Sequence, residues 1–195
     1  MWVQVPLHPH SGQVYPAATV ARAIRSEPLS SPNFSVAYTV SQTPDQVFDA
    51  INDVRGWWTG DPGVKGRTDK LGAVWTYQYK ELHFTKQRIT EFVPGKRVVW
   101  LVLDSRLSFV KDQTEWNGSK ITFEISRKGG KTEVRFTHVG LVPQVECYGD
   151  CSSAWGYYVK GPLRALISNK GKVSAVAKGK TKKAARPEPR HRRST

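Results

Sequence analysis

The spacing of apolar side chains changes period along the chain, and each change marks an element. From Phe34 to Val40 apolar residues alternate with small or polar ones, the period-2 pattern of a strand buried on one face. That strand ends near Ser41. Thr43-Pro44-Asp45 then offers a hydroxyl N-cap followed by Pro at the first helical position, where its missing N–H costs nothing. Val47, Phe48 and Ile51 recur behind it at helical spacing, which predicts a short amphipathic helix that breaks near Gly56.

Beyond Gly72 the period-2 pattern returns and persists. It predicts strands over Ala73–Tyr79, Phe84–Val93, Arg97–Leu103, Ser119–Arg127 and Lys131–Val139. Pro94-Gly95 and Gly129-Gly130 are turn pairs between them, so sequence neighbours should pair antiparallel as a meander. A final element is predicted from about Gln144 to Asn169, where Val145, Tyr148, Cys151, Trp155, Tyr158, Leu163 and Leu166 follow i, i+3, i+4 spacing. Gly161-Pro162 falls inside it. Because Pro lacks a backbone donor and collides with the preceding turn, a kink is expected there. One early helix, a run of antiparallel strands and one long final helix argue for an α+β domain, not for alternating βαβ units. In that domain a curved sheet grips the last helix around an apolar cavity.

Composition sets the limits of this domain. At 195 residues, 38% hydrophobic and 24% charged, the chain suits one globular domain with appendages. Residues 34–169 should form it. No apolar run approaches the roughly 18 residues of a membrane helix. Residues 1–33 hold five prolines and lack the charged start and apolar block of a secretory signal. A flexible leader and a cytoplasmic location are the expectation, since early prolines also interrupt the amphipathic helix of a transit peptide.

The net charge of +14 is unevenly placed: residues 170–195 carry ten basic side chains against one acidic, and 34–169 carry eighteen against fourteen. With almost no large apolar side chain to offset ordering entropy, that tail is expected to be disordered. Lys182-Lys183 and Arg190-His191-Arg192-Arg193 could neutralise phosphates. Lacking any aromatic residue to stack on bases, the tail should bind nucleic acid weakly, without sequence preference and only at low salt.

Candidate chemistry is concentrated in aromatic side chains. Trp75, Tyr77 and Tyr79 lie two apart on one strand and share a sheet face. Trp57 and Trp58 sit between Gly56 and Thr59-Gly60, where a pocket rim is expected. Trp100, His138 on the face of Val134 and Phe136, and Trp155 on the final helix complete a set of eight cavity candidates. A buried indole N–H or phenol O–H needs a partner, and binding pockets combine apolar walls with a few such polar handles. Each candidate also fits plain core packing. No Ser-His-Asp spacing or carboxylate pair accompanies His138, so no catalytic residue is assigned. Cys147 and Cys151, four apart on one helix face, should be reduced, buried thiols, since no further Cys or His pair stands by to complete a zinc site. Glycine-rich phosphate loops are absent, and no cofactor is implied.

Read together, Phe34–Ser41, Thr43-Pro44 with Val47-Phe48-Asp49-Ala50-Ile51, Gly56-Trp57-Trp58, the run from Ile89 to Trp100 and Phe136-Thr137-His138-Val139-Gly140-Leu141 resemble the START-like (SRPBCC) superfamily. The branch is similar to the C-terminal domain of the heat-shock-chaperone ATPase activators (AHSA-type). This resemblance covers about Phe34 to Asn169. It implies a helix-grip fold with a cavity for a small apolar ligand, and it adds a chaperone or stress-response partner as an alternative role. A polyketide cyclase or aromatase, with His138 or a Tyr moving protons, is a further alternative. It carries over no catalytic set.

Overall fold

A computed structural model describes residues 32–169 of the chain. The basic tail and all but the last two residues of the expected leader lie outside the described residues. Seven strands form one antiparallel sheet in the order β1-β7-β6-β5-β4-β3-β2: β1 Phe34–Val40, β2 Pro62–Gly66, β3 Val74–Tyr79, β4 His83–Val93, β5 Arg97–Leu107, β6 Lys120–Lys128 and β7 Lys131–Val139. Two register shifts between β4 and β5, at Lys86/Gln87 and at Ile89/Glu91, add one residue to each strand in turn and bend the sheet. The concave face receives the helices.

The first helix, α1 (Pro44–Asn52), starts where the sequence places it. Gln46 N–H donates to Thr43 Oγ1, and Thr43 N–H donates back to Gln46 Oε1, a reciprocal capping box. Val47, Ala50 and Ile51 are buried against the sheet, and the Phe48 ring meets Phe92 edge to face at 4.8 Å.

The second helix, α2, spans Tyr148–Tyr158 and passes into a π-helical stretch, Val159–Leu163, before helix resumes over residues 164–169. It begins four residues later than its apolar spacing predicts. The Glu115 carboxylate accepts the N–H groups of both Glu146 and Cys147, satisfying those donors from outside and holding residues 144–147 in turns. Pro162 produces the wider π turn where a kink is expected. Trp155, Val159, Leu163 and Ile167 still form one buried stripe at i, i+4 spacing.

Two strand assignments also differ. β2 is absent from the sequence reading because PGVKG offers a single apolar side chain between glycines. Its conformation comes from pairing with β3, Val64 opposite Tyr77. β5 continues four residues beyond its predicted end because the alternation survives in Ser105 and Leu107, both buried. Among the described residues no helix is long and apolar enough to cross a membrane.

Candidate functional site: an aromatic cavity beneath the second helix

A cavity of about 460 Å³ opens between the β3–β4 end of the sheet and α2. Such a volume suits a drug-sized molecule. Tyr77 and Tyr79 of β3, Leu82 and His83 of the β3–β4 hairpin, and Phe109 and Trp116 of the β5–β6 connection form one side. Trp58 forms the floor, and Asp150, Cys151, Ala154, Trp155, Tyr157 and Tyr158 of α2 form the other side. Tyr79, Leu82, Phe109 and Tyr157 are exposed and rim the mouth.

Trp58 organises the interior. It stacks on Tyr77 at 4.1 Å with planes 15° apart, and tilts against Trp155 at 4.7 Å. A single 3₁₀ turn, Val54–Gly56, delivers it there, with Trp58 N–H donating to Val54 O at 2.8 Å. The next loop is fastened twice. The hydroxyls of Tyr77 and Tyr158 both donate to Thr59 O, each at 3.0 Å, tying sheet and helix to one carbonyl. Burial, and then the Tyr158 hydroxyl, push the Tyr77 phenol well above its usual pKa, so it stays a donor. Gly60 is required by close approach, since a Cβ there would press into the carbonyl oxygen of Gln78.

The two histidines beside the cavity differ in their wiring. An indole N–H can only donate, so Trp155 Nε1–H, 3.0 Å from His138 Nδ1, makes that nitrogen an acceptor. His138 therefore carries its proton on Nε2 and donates it to Ser119 Oγ at 2.9 Å, while the Ser119 hydroxyl donates to Trp116 O at 2.6 Å. Both ring nitrogens are committed. Burial, and then His83, lower the His138 pKa to about 3, so the chain runs through a neutral imidazole. His83, by contrast, sits among aromatic rings: Trp116 at 4.8 Å, Tyr77 at 5.2 Å and Trp58 at 6.2 Å, all near edge-on. Burial lowers its pKa to about 4, and its Nε2 is sealed from solvent with no hydrogen-bond partner among the described residues.

Cys147 and Cys151 are free, buried thiols. Trp116 Nε1–H donates to Cys147 Sγ at 3.2 Å. The hydrogen bond with Cys147, and then burial, raise the Cys151 thiol, which keeps it protonated and a poor nucleophile. No group of three metal-ligating side chains occurs among the described residues.

Of the eight side chains singled out in the sequence, the structure brings Trp58, Tyr77, Tyr79 and Trp155 onto the cavity wall. Trp57, Trp75, Trp100 and His138 pack behind that wall, at 1% exposure or less. Trp57 donates its indole N–H to Ile51 O at 3.1 Å, and Trp75 and Trp100 meet edge to face at 4.9 Å. His83 and Trp116 are among the lining residues that the sequence did not single out. His83 shares the inward alternation of Thr85, Gln87 and Ile89, and starting β4 one residue earlier would have included it. Trp116 sits in the polar run Thr114-Glu115-Trp116-Asn117-Gly118, where no periodicity points inward.

Known proteins share this architecture. The solution structure of the Aha1 dimer from Colwellia psychrerythraea aligns with a TM-score of 0.56 at 20% identity, over 70% of this chain and 96% of that one. Protein MLL2253 from Mesorhizobium loti aligns with a TM-score of 0.57 at 16% identity, over 71% and 98%. DynU16, from the dynemicin biosynthetic locus, aligns with a TM-score of 0.50 at 15% identity, over 71% of this chain and 49% of that one. At these identities the likeness is one of fold. No curated protein matches the chain in sequence. A family model described as "Activator of Hsp90 ATPase homolog 1-like protein" matches residues 41–168 of the 195, and on that match the chain belongs to the AHSA1-like family within the START-like superfamily.

Proposed function

We propose that the protein binds a small apolar molecule in the aromatic cavity and does not transform it. The observation that carries this reading is the open space itself: about 460 Å³ left unfilled between sheet and helix, with walls of Trp58, Tyr77, Trp116 and Trp155. A domain free to pack this region solid would gain dispersion and burial energy by doing so, so a preserved void suits a guest. Trp58, Tyr77, Tyr79 and Trp155 are the contacts proposed from the sequence, joined by His83 and Trp116. The packed set of Trp57, Trp75, Trp100 and His138 supports the wall from behind. In the cyclase-type alternative His138 could not carry protons to the guest, because both of its nitrogens are committed. Native mass spectrometry of the purified protein, before and after solvent extraction, tests the proposal. A co-purifying apolar species, or reloading of the stripped protein by one, is expected. A protein that stays empty against a panel of lipids and arenes would refute it.

The family match favours a second reading, action on an Hsp90-type ATPase. Stimulation of that ATPase by the purified chain would support it, and an unchanged turnover rate at saturating protein would remove it. The basic tail remains a separable proposal. If it binds nucleic acid, deleting residues 170–195 abolishes retention on DNA at low salt, and equal retention without it ends the idea.

A further inference from the structure

The cavity holds few polar groups, and most are already spent. Tyr77 and Tyr158 give their hydroxyl protons to Thr59 O, Trp155 gives its N–H to His138, and Trp116 gives its N–H to Cys147. Among the described residues no Lys or Arg lines the space, and the single carboxylate there, Asp150, is exposed on α2. With Tyr79 and Tyr157 at the exposed mouth, His83 is what remains in the interior. Neither of its ring nitrogens has a hydrogen bond among the described residues, and Nε2 is closed off behind aromatic rings.

A neutral imidazole has one N–H and one lone pair, and its surroundings decide which nitrogen carries which. A lone pair aimed at aromatic π density is repelled, whereas an N–H aimed there is weakly attracted. The enclosed Nε2 therefore takes the proton. Nδ1, the nitrogen not sealed off, then keeps the lone pair, and it is the cavity's acceptor without a donor. A guest that supplies a donor to this accessible lone pair gains a hydrogen bond that a donor-free guest of the same shape lacks.

Resting on the ligand-binding reading above, we propose that the cavity selects an uncharged, flat aromatic guest bearing a hydroxyl group, whose O–H donates to His83 Nδ1. Flat rings match the Trp and Tyr faces by offset and edge-to-face packing. A negative charge would meet Asp150 with no cation to compensate it. A positive charge at the inner end is opposed by the same burial that keeps His83 itself neutral.

Three probes on one scaffold test this with the full chain at pH 7.5: 2-naphthol, its donor-free isostere 2-methylnaphthalene, and the anion 2-naphthoate, each titrated by calorimetry. The Kd ratio of methylnaphthalene to naphthol should fall at least about tenfold on changing wild type to His83→Phe, whatever the substitution does to the affinity for methylnaphthalene itself. Naphthoate should bind more weakly than naphthol. In wild type alone, ¹⁵N spectra should show His83 Nδ1 shifting on saturation with naphthol and not with methylnaphthalene, which keeps the test valid if the variant folds poorly. An unchanged ratio in the variant, an equal Nδ1 response to both arenes, or naphthoate binding tighter than naphthol overturns the proposal while leaving the cavity reading intact. No binding by any probe sinks both.

Discussion

Lowering the pH from 7.5 to 5 should remove about 4 kcal/mol of folding stability, mostly before the carboxylates protonate. His83 and His138 are held neutral with pKa values of about 4 and about 3, in both cases chiefly by burial. In the unfolded chain both return to about 6.5. Because the folded values are depressed, protonation favours the unfolded state. Stability is complete above pH 6.5, falls as the pH drops through 6.5, and levels off only near the folded values. At pH 5 each histidine has lost about 1.5 pH units of linkage at 1.36 kcal/mol per unit, or about 2 kcal/mol. Glu133, Asp69 and Asp112, whose carboxyls hydrogen bonds to Lys128, Arg67 and Thr114 hold low, add a loss of the same sign below about pH 4. Urea unfolding followed by tryptophan fluorescence at pH 7.5, 6.5, 5.5 and 5 measures this. With a slope of about 2 kcal/mol/M the midpoint should fall by about 2 M, and His83→Phe or His138→Gln should each remove about half of the drop. A midpoint that holds steady from pH 7.5 to 5 would refute the burial of two neutral imidazoles.

Three substitutions probe the scaffold. Trp155→Phe leaves His138 Nδ1 without its donor and should cost about 1–3 kcal/mol, read as a lower urea midpoint at unchanged slope. Gly60→Ala drives a methyl group toward Gln78 O and should cost about 1–3 kcal/mol while loosening the loop that carries Thr59 O. Guest affinity should therefore fall as well. Thr43→Ala breaks the capping box far from the cavity and should cost about 1 kcal/mol, lowering the melting temperature and leaving guest affinity as it was.

Local chemistry made much of the fold legible. The start of α1 was written in Thr43-Pro44-Asp45, and six of the seven strands in period-2 alternation, because in both cases neighbours in sequence decide the conformation. Where distant residues decide, the sequence is silent. β2 exists because β3 pairs with it, and α2 starts late because Glu115, some thirty residues upstream, takes the N–H groups of Glu146 and Cys147. The site follows the same division. Alternation put Trp75 and Tyr77 on the inner face together, but which of them borders open space depends on where Trp58 comes to rest from its loop. His83 lay one residue before the predicted start of its strand, and Trp116 had no pattern to announce it. His138 looked like a lone inward histidine. Only three-dimensional packing shows that Trp155 and Ser119 use both of its nitrogens.

The central claim is that a guest enters between α2 and the β3–β4 end of the sheet. The seven indole N–H signals of a ¹H–¹⁵N spectrum test it most directly, since among the described residues only Trp58, Trp116 and Trp155 of the tryptophans line that space. Titration with an uncharged bicyclic arene should move those three signals most and bring their shifts to saturation together. Saturable binding that instead moved chiefly the indoles packed behind the wall, or none of the seven, would contradict the account.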